Sequence, residues 1–191
     1  KLLNELFRKK YNIKYNSLSE KEKIKLLNKS IKEKNYFVDK IKITDRENKE
    51  VWNTFKQISK TPHECLGAYV ISMTSTASDI LSVYFLQIQA KIKNFLRVVP
   101  LFETLDDLKN ANSVMKNLFK LSWYRKMTSA KQEVMIGYSD SSKDAGKLSA
   151  SWHQYKLQEE LRGLAKNYRF DLVFFHGRGG SPGRGLSLIH I

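Results

Sequence analysis

The stretch "DLVFFHG" (171–177) is the last of four short apolar runs that decide the fold. The others are "AYVISM" (68–73), "FLRVVPLFE" (95–103) and "EVMIGYSD" (133–140). Runs of this kind, without regular alternation, are typical of strands that are buried on both faces of a parallel sheet. Helical periodicity separates them, so the sequence predicts about four βα units in a parallel α/β sheet or barrel.

The helices of these units are predicted from apolar spacing. Residues 78–91 have one apolar face, and Thr104 is expected to cap the next helix. A third helix, within 144–166, aligns four apolar residues: Leu148, Trp152, Tyr155 and Leu164.

Residues 1–60 predict a helical segment that precedes the βα region of 61–185. "SLSE" (Ser17–Glu20) and "TDRE" (Thr44–Glu47) match the capping-box pattern ahead of two amphipathic stretches, and Pro62 marks the end of the second. Helical period alone indicates core packing, so we expect no chemistry in this segment.

Composition narrows the function classes. The formal charge of +15 is typical of nucleic-acid-binding proteins, but most of the basic residues are lysines spread over helical segments, which favours a solvated surface. Cys65, the single cysteine, excludes a disulfide framework and fits a reducing compartment, so we expect a cytoplasmic protein. No apolar run reaches the roughly 20 residues of a membrane span, and we expect no membrane partner.

The apolar runs end in residues suited to chemistry, which are Ser72, Glu103, Asp140 and His176. Ligands of α/β folds bind at the carboxyl ends of strands, so these side chains are expected near one another. One acid in such a place is more often a helix cap, but two converging carboxylates form a site for Mg²⁺ or Mn²⁺ shared with a phosphorylated substrate.

The segment "FHGRGGSPGRG" (175–185) predicts a cationic flap over an anionic ligand. Its glycines permit close backbone approach, and Arg178 and Arg184 offer planar donor forks for phosphate or carboxylate. It satisfies neither G-x-G-x-x-G nor the nucleotide P-loop pattern. Lys143, three residues after Asp140, either neutralises a phosphate or is a solvated loop lysine.

These residues alone leave alternatives open. One is a metal-dependent barrel enzyme acting on another phosphorylated metabolite, such as an enolate-forming lyase or a phosphotransferase. A second, from a different class, is a basic nucleic-acid-binding module. Salt-dependent binding to DNA or RNA would identify the second alternative.

Four collinear stretches closely resemble phosphoenolpyruvate carboxylases: "GAYVISMTSTASDIL", "PLFETLDDLKNA", "VMIGYSDSSKDAGKLSASWHQYKLQEEL" and "FHGRGGSPGRG". The resemblance covers about residues 15–185. It implies part of a TIM-type (β/α)8 barrel with additional helices. The implied reaction converts phosphoenolpyruvate and bicarbonate to oxaloacetate and phosphate with Mg²⁺ or Mn²⁺, in a homotetramer without nucleic acid that is inhibited by aspartate.

The resemblance also implies residue roles. Glu103 and Asp140 match the metal ligands of the family, and Lys143 matches an active-site lysine. His176 and Arg178 match the histidine and arginine that line the phosphate and carboxylation site. Arg184 matches the arginine of the mobile loop, which also takes part in aspartate inhibition.

The resemblance further implies an internal fragment, expected to be inactive alone, because family chains are several times longer and carry another catalytic histidine and more arginines. After Gly185 the family continues with glycines and a proline, whereas this chain has "LSLIHI" (186–191). A common transposase sequencing adapter encodes these six residues, so we interpret them as a non-native tail.

Overall fold

The structure is a computed structural model that describes residues 1–33, 35–137 and 146–177, with Lys147 described by its backbone only. The helices are α1 (Leu2–Tyr11), α2 (Glu20–Glu33), α3 (Arg46–Lys60), α4 (Ala77–Gln89), α5 (Leu105–Phe119), α6 (Ser122–Met127) and α7 (Lys147–Tyr168). The strands are β1 (Ala68–Ile71), β2 (Arg97–Phe102), β3 (Lys131–Gly137) and β4 (Asp171–Gly177).

The four strands form one parallel sheet in chain order, β1-β2-β3-β4. Leu101 pairs with Met135, and β3 pairs with β4 along its whole length, from Lys131 with Asp171 to Gly137 with Gly177. The prediction of a parallel α/β sheet is therefore confirmed. Among the residues that the structure describes, β1 and β4 each pair on one side only, so the sheet is not closed.

The chain divides into two compact units. The first contains Lys1–Gly67 and Ser78–Leu96, and the second contains Ala68–Ala77 and the described residues from Arg97 onward. All four strands lie in the second unit, together with α5, α6 and α7.

An aromatic cluster forms the core of the first unit. Phe7 stacks on Phe85 with ring centroids 5.4 Å apart, and Phe37 contacts both rings. The buried Gln89 accepts hydrogen bonds from the backbone N–H groups of Phe37 and Val38 at 2.9 and 3.2 Å. These bonds satisfy a buried amide that would otherwise destabilise the core.

The carboxylate of Glu5 connects α1 to the start of α3. Its donors are the Lys9 ammonium, the backbone and hydroxyl of Thr44, and the amide of Asn48, at 2.6–2.9 Å. Burial raises the pKa of this carboxyl, but the hydrogen bonds outweigh burial and lower the pKa to about 2.

One face of the sheet carries helices. Gln132, Val134 and Ile136 alternate along β3 as buried residues, and the Tyr124 hydroxyl of α6 donates to Gln132 Oε1. Between them Glu133 lies on the other face, where it pairs with Arg97. Strand alternation thus puts Gln132, Val134 and Ile136 on the helix-covered face and Glu133 on the opposite face.

Two predicted helix caps were wrong by one or two residues. In α2 the reciprocal bonds join Ser19 and Glu22, whereas the Ser17 hydroxyl donates to the Lys14 carbonyl. In α3 the cap is Asp45, because its carboxylate accepts from the Asn48 backbone. The cap at Thr104 is confirmed as a capping box with Asp107.

The predicted apolar face of α7 is not its core face. Leu148, Trp152 and Tyr155 are exposed, whereas Leu164 is buried on the opposite side. The helix packs through Ala150, Gln154, Leu157, Leu161 and Leu164. The exposed residues are kept together by stacking of Trp152 on Tyr155, with centroids 6.0 Å apart.

Each helix within the described ranges is too short or too polar to cross a bilayer.

Candidate functional site at the strand ends

Glu103 lies directly after β2, at the carboxyl end of the parallel sheet, and is half-buried. The Asp107 carboxylate accepts hydrogen bonds from the backbone N–H groups of Thr104 at 3.1 Å and Glu103 at 3.4 Å. The Asp107 backbone donates in return to the Thr104 hydroxyl at 3.1 Å. The cap of α5 therefore fixes the backbone that carries Glu103.

Gly137, the last residue of β3, lies against Glu103. A Cβ at this glycine would lie 2.6 Å from the Cβ of Glu103 and 3.0 Å from its Cα. Distances this short are closer than real Cβ atoms approach, so the neighbouring strand ends fit together only because residue 137 has no side chain. The sequence analysis assigned no role to Gly137.

Gln154 holds the same strand end from the helix-covered face. Its side chain is buried in α7, and its Nε2 donates to the Gly137 carbonyl at 3.0 Å. Sequence analysis missed Gln154 because its partner is distant in sequence. It also missed Asp107, although Thr104 and Asp107 have the spacing of a capping box.

His176 lies at the carboxyl end of β4, in register with Ile136. It is exposed, and alternation places it on the face of Leu172 and Phe174, which line a groove of about 740 Å³ beside α7. Strand β3 lies between β2 and β4, so the backbones of Glu103 and His176 are about 10 Å apart at standard strand spacing. The structure thus places both residues at the same end of the sheet, but Glu103 lies beside Gly137 whereas His176 is in register with Ile136, so strand alternation directs the two side chains to opposite faces. The expectation that the two side chains lie near one another is therefore wrong for this pair.

The remaining predicted site residues are Asp140, Lys143, Arg178 and Arg184, and they lie outside the described residues, as does the tail 186–191. Ser72 is exposed just after β1. The position of the four undescribed residues relative to Glu103 and His176 stays a prediction.

The donor chemistry at Glu103 fits a divalent cation. A carboxylate is a preferred ligand of Mg²⁺ and Mn²⁺. Glu103 packs closely against Gly137 at the strand ends, where the glycine has no side chain to occupy the site. Among the described residues, no group of three or more His, Cys, Asp or Glu side chains could hold a metal ion.

Known proteins are similar to this chain over most of its length. The sequence model of the family "Phosphoenolpyruvate carboxylase" matches residues 1–187. Phosphoenolpyruvate carboxylase 3 of Arabidopsis thaliana is 54% identical over 145 residues, which are 76% of this chain and 15% of that protein. Phosphoenolpyruvate carboxylase 1 of Flaveria trinervia is 52% identical with the same coverage, and the Pisum sativum protein is 48% identical over 172 residues, 90% of this chain and 18% of that protein.

Proposed function

The chain belongs to the phosphoenolpyruvate carboxylase family, and we propose that it supplies the metal-binding strand ends of an enzyme that converts phosphoenolpyruvate and bicarbonate to oxaloacetate and phosphate. It spans 15–18% of the length of the three curated relatives named above, so the activity is proposed for a protein of the relatives' length that carries this sequence. The observation that carries the proposal is the fixed position of Glu103 beside Gly137.

We propose that Glu103 and Asp140 hold Mg²⁺ or Mn²⁺. When bound, the cation supplies positive charge that stabilises developing oxyanions. The hydrogen bonds from the backbone N–H groups of Glu103 and Thr104 to Asp107 support this role, because they fix the backbone of Glu103 at the carboxyl end of β2 before any ligand binds. Such preorganisation avoids a reorganisation cost during the reaction.

The proposed substrate site extends from Glu103 towards β4. We propose that a small phosphorylated acid binds beyond the end of β3, because the strands on either side of β3 carry Glu103 and His176 at the same end of the sheet. Lys143 and Arg178 would neutralise the phosphate and carboxylate. Arg184 would close over the ligand on a glycine-rich loop and take part in aspartate inhibition.

The proposed reaction begins when a bicarbonate oxygen attacks the phosphorus of phosphoenolpyruvate. The bond from phosphorus to the enol oxygen breaks, giving carboxyphosphate and the enolate of pyruvate. Carboxyphosphate loses its proton to His176 and separates into CO₂ and phosphate, and the enolate carbon attacks CO₂ to form oxaloacetate. An imidazole exposed at the end of β4 supports this general-base role, because a neutral imidazole nitrogen can accept a proton.

The wider architecture is also part of the proposal. Further βα units would continue the parallel sheet at β1 and β4 into a TIM-type barrel, with Glu103 at the catalytic end of that barrel. The proposed enzyme is a cytoplasmic homotetramer.

The decisive experiment is an oxaloacetate assay on a purified protein of the relatives' length carrying this sequence. Malate dehydrogenase and NADH report oxaloacetate, and bicarbonate is omitted or added with Mg²⁺ present. We expect turnover that requires both bicarbonate and the divalent cation. Pyruvate formation without bicarbonate dependence would instead identify a different chemistry of phosphoenolpyruvate.

A further inference from the structure

We propose that Gln154 of α7 is a positioning residue for the proposed metal site at the carboxyl ends of β2 and β3. It holds the end of β3, which supports Glu103 on one side and begins the segment leading to Asp140 on the other. This inference rests on the proposed function, and it assigns a role to the "WHQYKLQEEL" segment of α7 that the reaction itself does not use.

The burial of Gln154 is the first reason. Only 4% of the residue is exposed, and a buried amide destabilises a protein unless it is hydrogen-bonded. Its Nε2 donates to the Gly137 carbonyl at 3.0 Å, so the bond joins the helix to the last residue of the strand. Leucine in place of Gln154 would fill similar space but leave that carbonyl without this donor.

The position of Gly137 makes this bond consequential. Its Cα has no space for a side chain because Glu103 lies at contact distance. A shift of β3 towards β2 is therefore blocked by Glu103, while Gln154 restrains movement of the Gly137 carbonyl away from α7. The Asp107 carboxylate accepts hydrogen bonds from the backbone N–H groups of Glu103 and Thr104, and these bonds hold the end of β2. The ends of β2 and β3 are therefore restrained by different side chains.

Gln158 provides an internal comparison. It lies one turn along the same helix, and its Nε2 donates to a backbone carbonyl at 3.1 Å, but that carbonyl belongs to Gln154. The bond of Gln158 stays within α7, whereas that of Gln154 reaches the strand end. If the inference is right, the same substitution at the two glutamines has different effects on the metal site.

The test compares Gln154→Met with Gln158→Met in the full-length protein. Electron paramagnetic resonance measures the dissociation constant of Mn²⁺ without substrate, and the oxaloacetate assay measures kcat and kcat/KM. For Gln154→Met we expect Mn²⁺ affinity and kcat/KM to fall about 10–100-fold, the usual effect of removing a group that orients a metal ligand. For Gln158→Met we expect both values within about twofold of the unchanged protein.

Equal Mn²⁺ affinities and equal kcat/KM in the two variants, measured below their melting temperatures, would overturn the role of Gln154, even if Gln154→Met melts earlier. If Gln154→Met does not fold, Gln154→Glu replaces it, because glutamate keeps the side-chain length and removes the amide donor. An unchanged protein that binds Mn²⁺ but forms no oxaloacetate would overturn the proposed function, while the ratio of Mn²⁺ affinities would still decide the inference.

Discussion

At the scale of single residues, Gly137 and Glu103 show how a missing side chain determines a site. Replacing Gly137 with alanine would bring a Cβ to 2.6 Å from the Cβ of Glu103, so one strand end has to move. Displacement of a catalytic group by about 1 Å lowers rates by about 10²-fold, and we expect a loss of that size in kcat/KM for Gly137→Ala.

The matched control is Gly163→Ala. Gly163 lies inside α7, and a Cβ there would meet no atom within 4 Å beyond its chain neighbours and the backbone of its own helix. We expect unchanged kcat/KM and a gain in stability of about 0.5–1 kcal/mol, because alanine favours helix over glycine. Similar kinetics for the two alanine variants would contradict the packing argument at Glu103.

A second residue, Glu5, predicts a pH effect in the first unit. Its pKa is lowered to about 2, so its contribution to stability is complete above its ordinary pKa of 4.5 and is lost as the pH falls from 4.5 towards 2. Glu5→Gln should weaken the connection to Thr44 and Asn48 by about 1–3 kcal/mol at neutral pH.

Hydrogen exchange of residues 42–48, corrected for intrinsic rates, measures this connection. We expect faster exchange in Glu5→Gln at pH 7 and a difference from the unchanged protein that shrinks below pH 4.5. Glu50→Gln is the control, because Glu50 forms an exposed ion pair with Arg46 that contributes little. A difference that is constant down to pH 2 would show that the charge of Glu5 is not the cause.

At the scale of secondary-structure elements, the cap of α5 connects helix formation to the site. Asp107→Ala removes the acceptor for the Thr104 and Glu103 backbone, and we expect a loss of about 1 kcal/mol in stability together with weaker Mn²⁺ binding. Asp106→Ala is the control, since Asp106 is exposed in the same helical turn. Thermal melts and Mn²⁺ titrations measure both effects, and equal Mn²⁺ affinities would disconnect the cap from the site.

Element by element, the sequence predicts strands better than helix faces. The run 171–177 coincides with β4, although its predicted burial on both faces is wrong for the described part of the chain, where Val173 and Phe175 are exposed. The face of α7 was predicted wrongly, since apolar spacing does not reveal which side of a helix the sheet covers. The caps at Ser19 and Asp45 were displaced because "SLSEKE" contains two overlapping patterns and Thr44 bonds Glu5 instead.

The candidate site was predictable only in part, because some of its contacts depend on packing between elements. Glu103 and His176 follow apolar runs, and both lie at the carboxyl end of the sheet as predicted. The contacts of Gly137 and Gln154 could not be read from the sequence, because they depend on how closely β2, β3 and α7 pack.

At the scale of the whole molecule, the sheet leaves apolar surface uncovered in the described part of the chain. Val70, Val173 and Phe175 are about half exposed, and β1 and β4 have unpaired edges. Such edges favour aggregation. We therefore expect the 191-residue chain alone to be poorly soluble and to form no oxaloacetate, measured by sedimentation and the coupled assay. Bicarbonate-dependent turnover by the purified chain would contradict this prediction.

The central claim is that strand ends of this chain converge on one divalent cation. Anomalous diffraction from Mn²⁺-soaked crystals of the full-length protein tests it most directly. We predict one manganese peak at about 2 Å from carboxylate oxygens of both Glu103 and Asp140. Manganese bound elsewhere, with Glu103 not coordinating any ion, would contradict the account.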